Sequence, residues 1–275
     1  MTIKYLAGDR LQGTAAERAA MSSGVDKANI KVYYHFDNTS GDLINQATSE
    51  NGFTNGLGSS NDGTNAGGVT LDVGGKLSRA YDYDFGATGY TAIGSNIFTG
   101  TGDFSFNAWV YHTSESAGET WLVAGTNQDM AGWGSNDKLF GGNTHNVDAT
   151  TNSTINTWEM TTYTRSSGTQ KIYHNGTYEA SSSNSTSINS GTWYIGGAGT
   201  NIGENWHGRI DEFFLCDRVL SANEITSLYN SGSGATLANL PLVTIELPNG
   251  AIFEESDGTG KHYMWDGTSA WNEIT

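Results

Sequence analysis

The sequence predicts an all-β antiparallel sandwich with one short helix near its end. Three features predict it. Gly accounts for 37 of 275 residues and charged residues for only 15%, against a usual charged share of roughly 25%. With abundant Asn, Ser and Thr, that is the composition of many short strands and tight turns. Apolar residues alternate over short runs, most clearly in Gly102–Tyr111, where Phe104, Phe106, Ala108 and Val110 face one side and Trp109 and Tyr111 the other. Near the end of that texture a helix starts at Ser221, with Glu224 three residues on in capping-box spacing.

In chain order, residues 1–26 read as a separate segment with a short helix over Thr14–Met21 capped by Thr14. Val32, Tyr34 and Phe36 alternate with polar neighbours as in a half-buried strand, and Asp37 begins the turn after it. Asn45–Gly68 reads as a long surface excursion, followed by strands near Tyr81–Phe85 and Tyr90–Ile93. Trp121–Gly125 partners the Phe104 run, and Gln128–Gly142 reads as a Gly-rich loop containing Trp133. Thr157–Arg165 and Gln170–Glu179 form a pair, and Asn175-Gly176 marks a hairpin turn because both central positions of a type I′ turn need φ > 0. Thr192–Ile195 and the apolar run Arg209–Cys216 are further strands. The closing helix should turn Ile225, Leu228 and Tyr229 to one face and stop near Gly232. Beyond Gly234 three short strand runs alternate with Gly-containing turns. The expected division is therefore 1–26, 27–234 and 235–275.

A net charge of −16, from 13 Lys+Arg against 29 Asp+Glu, leaves no basic cluster. That disfavours nucleic acid, whose binding needs phosphate neutralisation by Lys and Arg, and anionic membrane. No apolar run approaches the ~18 residues of a membrane span. Cys216 is the single cysteine and reads as a small buried hydrophobe. The N-terminus carries no signal-peptide apolar region, whereas the Asn/Thr/Ser/Gly texture suits a protein working outside cells. One resolution is a virion protein, assembled in the cytoplasm and released by lysis; another is a cleaved precursor or a leaderless secretion route.

Gly208-Arg-Ile-Asp-Glu-Phe213 followed by Arg218-Val-Leu-Ser-Ala-Asn-Glu-Ile225 resembles the closing signature of laminin-G-like jelly rolls of the concanavalin-A-like superfamily. The Asp103–Val110 strand, the Lys171–Gly176 hairpin and Trp193–Gly197 are similar to other elements of that family. The resemblance spans roughly Ile30–Gly234 and implies a jelly-roll sandwich. Gly250–Trp271 looks like a small β-module of tailed-phage structural proteins, and the opening Met1–Arg10 is similar to starts seen on such proteins.

The superfamily includes glycoside hydrolases, which need two carboxylates flanking the sugar bond. Arg209 stands where the resemblance would put the nucleophilic carboxylate, so no catalytic residue is assigned. The resemblance suggests that Asp37 and Asp211 lie on neighbouring strands and meet, as ligands of a structural Ca²⁺ or in a buried hydrogen-bonding role. The plainer reading makes Asp37 an Asx-turn residue and Asp211 a carboxylate satisfied by backbone N–H groups. For glycan, Trp133 and Trp206 are loop or rim candidates, with Asn205 and His207 as hydrogen-bonding partners; sugars pair apolar C–H faces with hydroxyls that need donors and acceptors. Trp109, Trp158 and Trp193 are core candidates.

The expected function is a non-enzymatic virion surface protein, a capsid decoration, fibre or receptor-binding component with a lectin-like domain. Its terminal segments, carrying Ile3, Tyr5, Leu6 and Leu11 and Ile252, Phe253, Tyr263, Trp265 and Trp271, would dock on other virion proteins or a second copy. Its partners would include host surface glycans. The alternatives are a secreted or cell-surface carbohydrate-binding module and a glycoside hydrolase.

Overall fold

In the computed structural model, the described residues are 4–6, 10–14, 18, 25–84, 86, 88–95, 97–113, 120–125, 128–134, 136–142, 147–197, 205–237, 249–256, 260–265 and 271–274. Among them the strands are β1 Lys4–Leu6, β2 Arg10–Gly13, β3 Ile30–Tyr34, β4 Thr64–Ala66, β5 Val69–Gly74, β6 Arg79–Tyr83, β7 Tyr90–Ser95, β8 Phe104–His112, β9 Thr120–Gly125, β10 Gln128–Trp133, β11 Leu139–Gly141, β12 Val147–Asp148, β13 Trp158–Ser166, β14 Thr169–His174, β15 Thr177–Ser183, β16 Thr192–Ile195 and β17 Gly208–Cys216. The helix α1 spans Ala222–Tyr229, and β18 Ile252–Glu255, β19 His262–Trp265 and β20 Trp271–Ile274 follow. None of the described helices is long and apolar enough to cross a membrane.

The chain forms two compact units, Lys27–Leu220 and Met1–Asp26 with Ser221–Thr275. The first is an all-β jelly-roll sandwich. One sheet runs β15-β14-β13-β8-β17-β6-β5, with β3 also on β17; the other runs β12-β11-β10-β9-β16-β7-β4. The core fills the space between them. Phe106 stacks on Tyr163 (centroids 5.7 Å) and on Phe213 (6.4 Å), and Trp193 meets Phe98 edge-on at 5.6 Å. The alternation expected along β8 is present: Phe104, Phe106, Ala108 and Val110 join this core.

Strand β17 is the hinge of its sheet. Its first half pairs with β6 through Gly208–Ile210, and its second half pairs with β3 through Phe213–Cys216. A bulge separates the halves, where the register with β8 shifts between Asp211 and Phe214. Glu212 takes φ = +50° there, a costly conformation for a side chain that must be held by its surroundings. β3 is buried more fully than its alternation implies. Tyr33, on the face away from the core, packs against Phe53 and Phe214.

Several expectations need correction. Gln128–Gly142 is not a loop but carries β10 and β11, paired through Ala131↔Gly141 to Trp133↔Leu139. Its glycines serve packing: a Cβ on Gly141 would lie 2.6 Å from Tyr163 Cδ2. In the 45–68 excursion, Asn45, Ala47, Phe53 and Asn61 are buried, with Asn45 Oδ1 accepting from the Tyr33 and Ala47 backbone N–H groups (2.9 and 3.0 Å). The Asn175-Gly176 turn joins β14 to β15, with both residues at positive φ (50° and 78°) as a type I′ turn requires.

The second unit joins the two terminal segments in one sheet, β1-β2-β18-β19-β20. β2 pairs with β18 in parallel, Arg10↔Ile252 to Gly13↔Glu255, and Leu11 shares a small core with Phe253 and Tyr263, flanked by Trp271. The Arg18 guanidinium covers the Tyr263 ring at 3.4 Å and bonds Glu255 (Nη2 to Oε1, 3.1 Å). The rest of the helix expected over Thr14–Met21 lies outside the described residues apart from Thr14 and Arg18. α1 also belongs to this unit and has the full capping box: Ser221 Oγ accepts from Glu224 N and Glu224 Oε2 from Ser221 N. It ends at Asn230 in the left-handed conformation, two residues before Gly232.

Candidate functional site

Four of the residues singled out for glycan converge at one end of the sandwich. Antiparallel pairing sets Gly208 opposite His112, so residues just before β17 lie beside the end of β8. Gly208, at φ = +134°, lies so close to the neighbouring strand that a Cβ would strike Tyr111 O at 2.0 Å. Backbone bonds from Trp206 N to Gly196 O (2.9 Å) and from Thr113 N to His207 O (3.0 Å) fix the Asn205-Trp206-His207 run. Gly197 supplies the floor under the Asn205 amide, since a Cβ there would meet Oδ1 at 2.5 Å. β10 brings in Trp133 as its last residue.

The centre of this group is His112, which sequence reasoning missed. Its ring lies edge-on to Trp133, with centroids 3.5 Å apart at 83°, and to Trp206, at 4.9 Å and 80°. Burial holds its pKa down to about 3, helped by the nearby His207, so the imidazole is neutral at pH 7. Trp133 and Trp206 are 4% and 0% exposed and Asn205 0%. The expectation of loop or rim tryptophans is thus corrected, because strand pairing and the His112 ring enclose both indoles. His207 is half-buried. Trp133 Nε1, Trp206 Nε1 and both amide atoms of Asn205 have no hydrogen-bond partner among the described residues. Buried polar atoms almost always find a partner, and leaving one without costs about 1–3 kcal/mol. Three N–H donor groups and one carbonyl acceptor beside a neutral imidazole can meet water or sugar hydroxyls. The segments 114–119, 126–127 and 198–204, which adjoin these residues in sequence, lie outside the described residues.

Asp37 and Asp211 both accept from backbone N–H groups of residues 76–79. Asp211 Oδ2 accepts from the backbone N–H groups of Lys76 (2.8 Å) and Leu77 (3.0 Å), and Asp37 Oδ1 from that of Arg79 (3.0 Å). Asp211 is the backbone-satisfied carboxylate of the plainer reading. Asp37 bonds Arg79 in a different part of the chain, so this bond is not an Asx turn. Burial, then the Glu212 charge, pushes the Asp211 pKa up to about 7 against the pull of its N–H partners. Asp211 Oδ2 already holds two N–H groups, which leaves little capacity there for Ca²⁺, an ion that takes 6–8 oxygen ligands. Among the described residues no group of three or more His, Cys, Asp or Glu could hold a metal.

Beside them, Glu212 accepts from the Tyr33 hydroxyl and bonds His35 Nδ1 at 2.8 Å. Burial opposes charge on His35, but the bond and charge of Glu212, with Asp37 and Asp211 behind it, outweigh it and raise the imidazole pKa. Arg209 bonds Gly74 O (Nη1, 3.0 Å) and lies 3.7 Å from Asp82 (Nε to Oδ2). Both carboxylates of the bulge are therefore engaged in holding strand β17 and its neighbours.

No curated protein matches the chain in sequence. Among solved structures, domain 4 of AbnA, a GH43 extracellular arabinanase from Geobacillus stearothermophilus, solved with arabinotriose, aligns over 72% of this chain and 97% of its own at 17% identity and TM-score 0.57. Trypanosoma rangeli sialidase aligns over 75% of this chain at 13% identity and TM-score 0.56, and this chain covers 34% of its length. The binding domain of Paraclostridial Mosquitocidal Protein 1 aligns over 74% of this chain and 52% of its own at 18% identity and TM-score 0.53. At such identities these likenesses concern the fold alone. A family profile described as the concanavalin A-like lectin/glucanases superfamily, laminin-G type, matches residues 85–226, just over half of the sequence, and the chain belongs to that family.

Proposed function

We propose that the chain is a non-catalytic carbohydrate-binding protein of a virion surface, which takes glycan at the His112–Trp133–Asn205–Trp206 end of its sandwich. The observation that carries this reading is the unsatisfied polar set there: two indole N–H groups and a whole carboxamide, none with a partner among the described residues, buried around the neutral His112 ring. Sugar hydroxyls are donors and acceptors at once and match such a mixed set, while the indole edges offer apolar contact. The AbnA domain, solved with arabinotriose, supports the reading as a protein of this fold with a bound sugar.

The non-catalytic part rests on the bulge. Asp211 serves the Lys76–Leu77 turn and Glu212 serves Tyr33 and His35, and Arg209 stands where the family resemblance would put the nucleophilic carboxylate. The virion setting rests on the phage-like terminal segments, whose union in one sheet suits an assembly module docking on other virion proteins or a second copy.

A glycan array probed with the full-length protein, paired with a reducing-sugar assay on the bound glycans, tests the reading. Binding without sugar release is expected. An empty array would remove the binding claim, and released sugar would replace it with a hydrolase.

A further inference from the structure

We propose that the cleft at the opposite end of the sandwich is a second ligand site, shaped for one neutral sugar ring. β8 starts at Phe104 and ends at His112, so at about 3.3 Å per residue the two ends lie roughly 26 Å apart. The cleft beside Phe104 has a volume of about 300 Å³, near the lower limit for small-molecule sites. That is room for one ring rather than a chain.

Its floor is apolar, formed by buried Phe98, Phe104 and Ile188. Its polar groups are Arg165, Asp103 and Asp217. Arg165 is 1% exposed. Its Nε donates to Gly102 O (3.0 Å), its Nη2 to Gly100 O and Gly102 O (3.0 and 2.8 Å), and its Nη1 to Thr186 O (3.0 Å). A guanidinium carries five N–H donors; these bonds use four, and one Nη1 hydrogen remains without a partner among the described residues. Asp217 Oδ2 pairs with Lys31 Nζ at 2.8 Å. Asp103 Oδ1 accepts from Ser167 N at 2.8 Å, while its Oδ2 has, among the described residues, only a long 3.4 Å contact with Ser166 Oγ. The Asp217 and Asp103 carboxylates thus keep acceptor capacity at the rim.

Charge selects the ligand class. Arg165 and Lys31 balance Asp103 and Asp217, so the cleft favours neither an anion nor a cation. A donor at the base without a partner among the described residues, carboxylate acceptors at the rim and a phenyl floor ask for hydroxyls on an apolar face, which is the surface of a pyranose or furanose. Two sites at opposite ends of one rigid strand would let one molecule grip two points of a polysaccharide or bridge two chains. The cleft stands independently of the aromatic end, since it shares none of its residues.

Saturation-transfer NMR on the full-length chain tests this, with methyl α-D-mannopyranoside, methyl β-D-galactopyranoside and L-arabinose as probes and N-acetylneuraminate and glucosamine as charged controls. Two variants read the cleft. Gly102→Trp fills it from a position where an added Cβ meets nothing within 4 Å, and Asp103→Asn weakens one exposed acceptor. The signal is read in the Asn205→Ala background, which silences the aromatic end: at least one neutral sugar should still bind there, Gly102→Trp should abolish that remaining signal, and Asp103→Asn should weaken it roughly fivefold. Should Gly102→Trp not fold, Asp217→Asn, on the exposed rim, takes its place with the same roughly fivefold loss expected. In that background, no neutral-sugar signal, a signal from charged controls only, or one that survives the cleft variants would overturn the proposal. A signal lost in Asn205→Ala but kept in Gly102→Trp would also overturn it, while leaving the aromatic site intact.

Discussion

Asp37, three residues beyond β3, and Asp211, in β17, hold the same turn: Asp211 accepts from the N–H groups of Lys76 and Leu77, and Asp37 from that of Arg79. The Asp211 carboxyl does this work as an acceptor in a buried setting that resists its ionisation, with a pKa near 7 against 3.8 when exposed. A carboxyl with a raised folded pKa contributes stability at low pH that is lost as pH rises from about 4 to about 7. Asp211→Asn keeps an oxygen for the turn and removes the charge. It should match wild type at pH 4 and exceed it by about 1–3 kcal/mol at pH 8, read by urea denaturation. A loss at pH 8 would show that the carboxylate is needed ionised, as a Ca²⁺ ligand would be, and equal stability at both pH values would show that folding does not raise its pKa.

His112 works in the opposite direction. Its folded pKa, near 3, lies below the usual value of 6.5, so the unfolded chain binds the extra proton and stability falls as pH drops from about 6.5 towards 3. NMR titration should find the His112 ring neutral at pH 5. A midpoint near 6.5 would mean that the ring is hydrated rather than enclosed by Trp133 and Trp206.

Much of this architecture was legible in the sequence, and the failures have physical causes. The Phe104–His112 alternation, the Asn175-Gly176 turn and the Ser221/Glu224 capping box are local signals, and each formed as read. β10 and β11 were hidden because Gly132, Gly141 and Gly142 erase the alternation a strand usually displays. Gly141 is there for the Tyr163 ring, a tertiary demand that no local pattern records. The sequence also named Trp133, Asn205, Trp206 and His207, which the fold brings to one end of the sandwich, but misjudged the exposure of the two tryptophans, since Trp206 is enclosed by strands distant in the chain. His112 carried one usable signal: it continues the inward phase of Phe104, Phe106, Ala108 and Val110, and a histidine there has to be buried. The parallel union of β2 with β18 left no mark in either segment.

The Gly141 contact gives a sharp test of packing. Gly141→Ala would place a methyl 2.6 Å from Tyr163 Cδ2, against a ring wedged beside Phe104 and Phe106. Overpacking of this kind should destabilise by about 1–3 kcal/mol. A thermal midpoint unchanged from wild type would place β11 away from the Tyr163 ring.

The shared terminal sheet predicts a one-sided dependence. Removing residues 1–13 deletes β1 and β2, strips β18 of its parallel partner and exposes Phe253 by loss of Leu11. Chymotrypsin should then cut quickly around Phe253, Tyr263 and Trp265 while the sandwich stays resistant. Protection of the C-terminal strands in the shortened chain would show that they fold without the N-terminus.

The most direct test of glycan recognition is calorimetric titration of the best array glycan into wild type and Asn205→Ala. The buried Asn205 amide has no partner among the described residues, so truncating it should leave the unliganded protein as stable as wild type or more so. The same truncation should weaken binding at least about tenfold, because a hydroxyl loses its amide. Unchanged affinity in Asn205→Ala, or a loss of affinity that merely follows a loss of stability, would contradict the account.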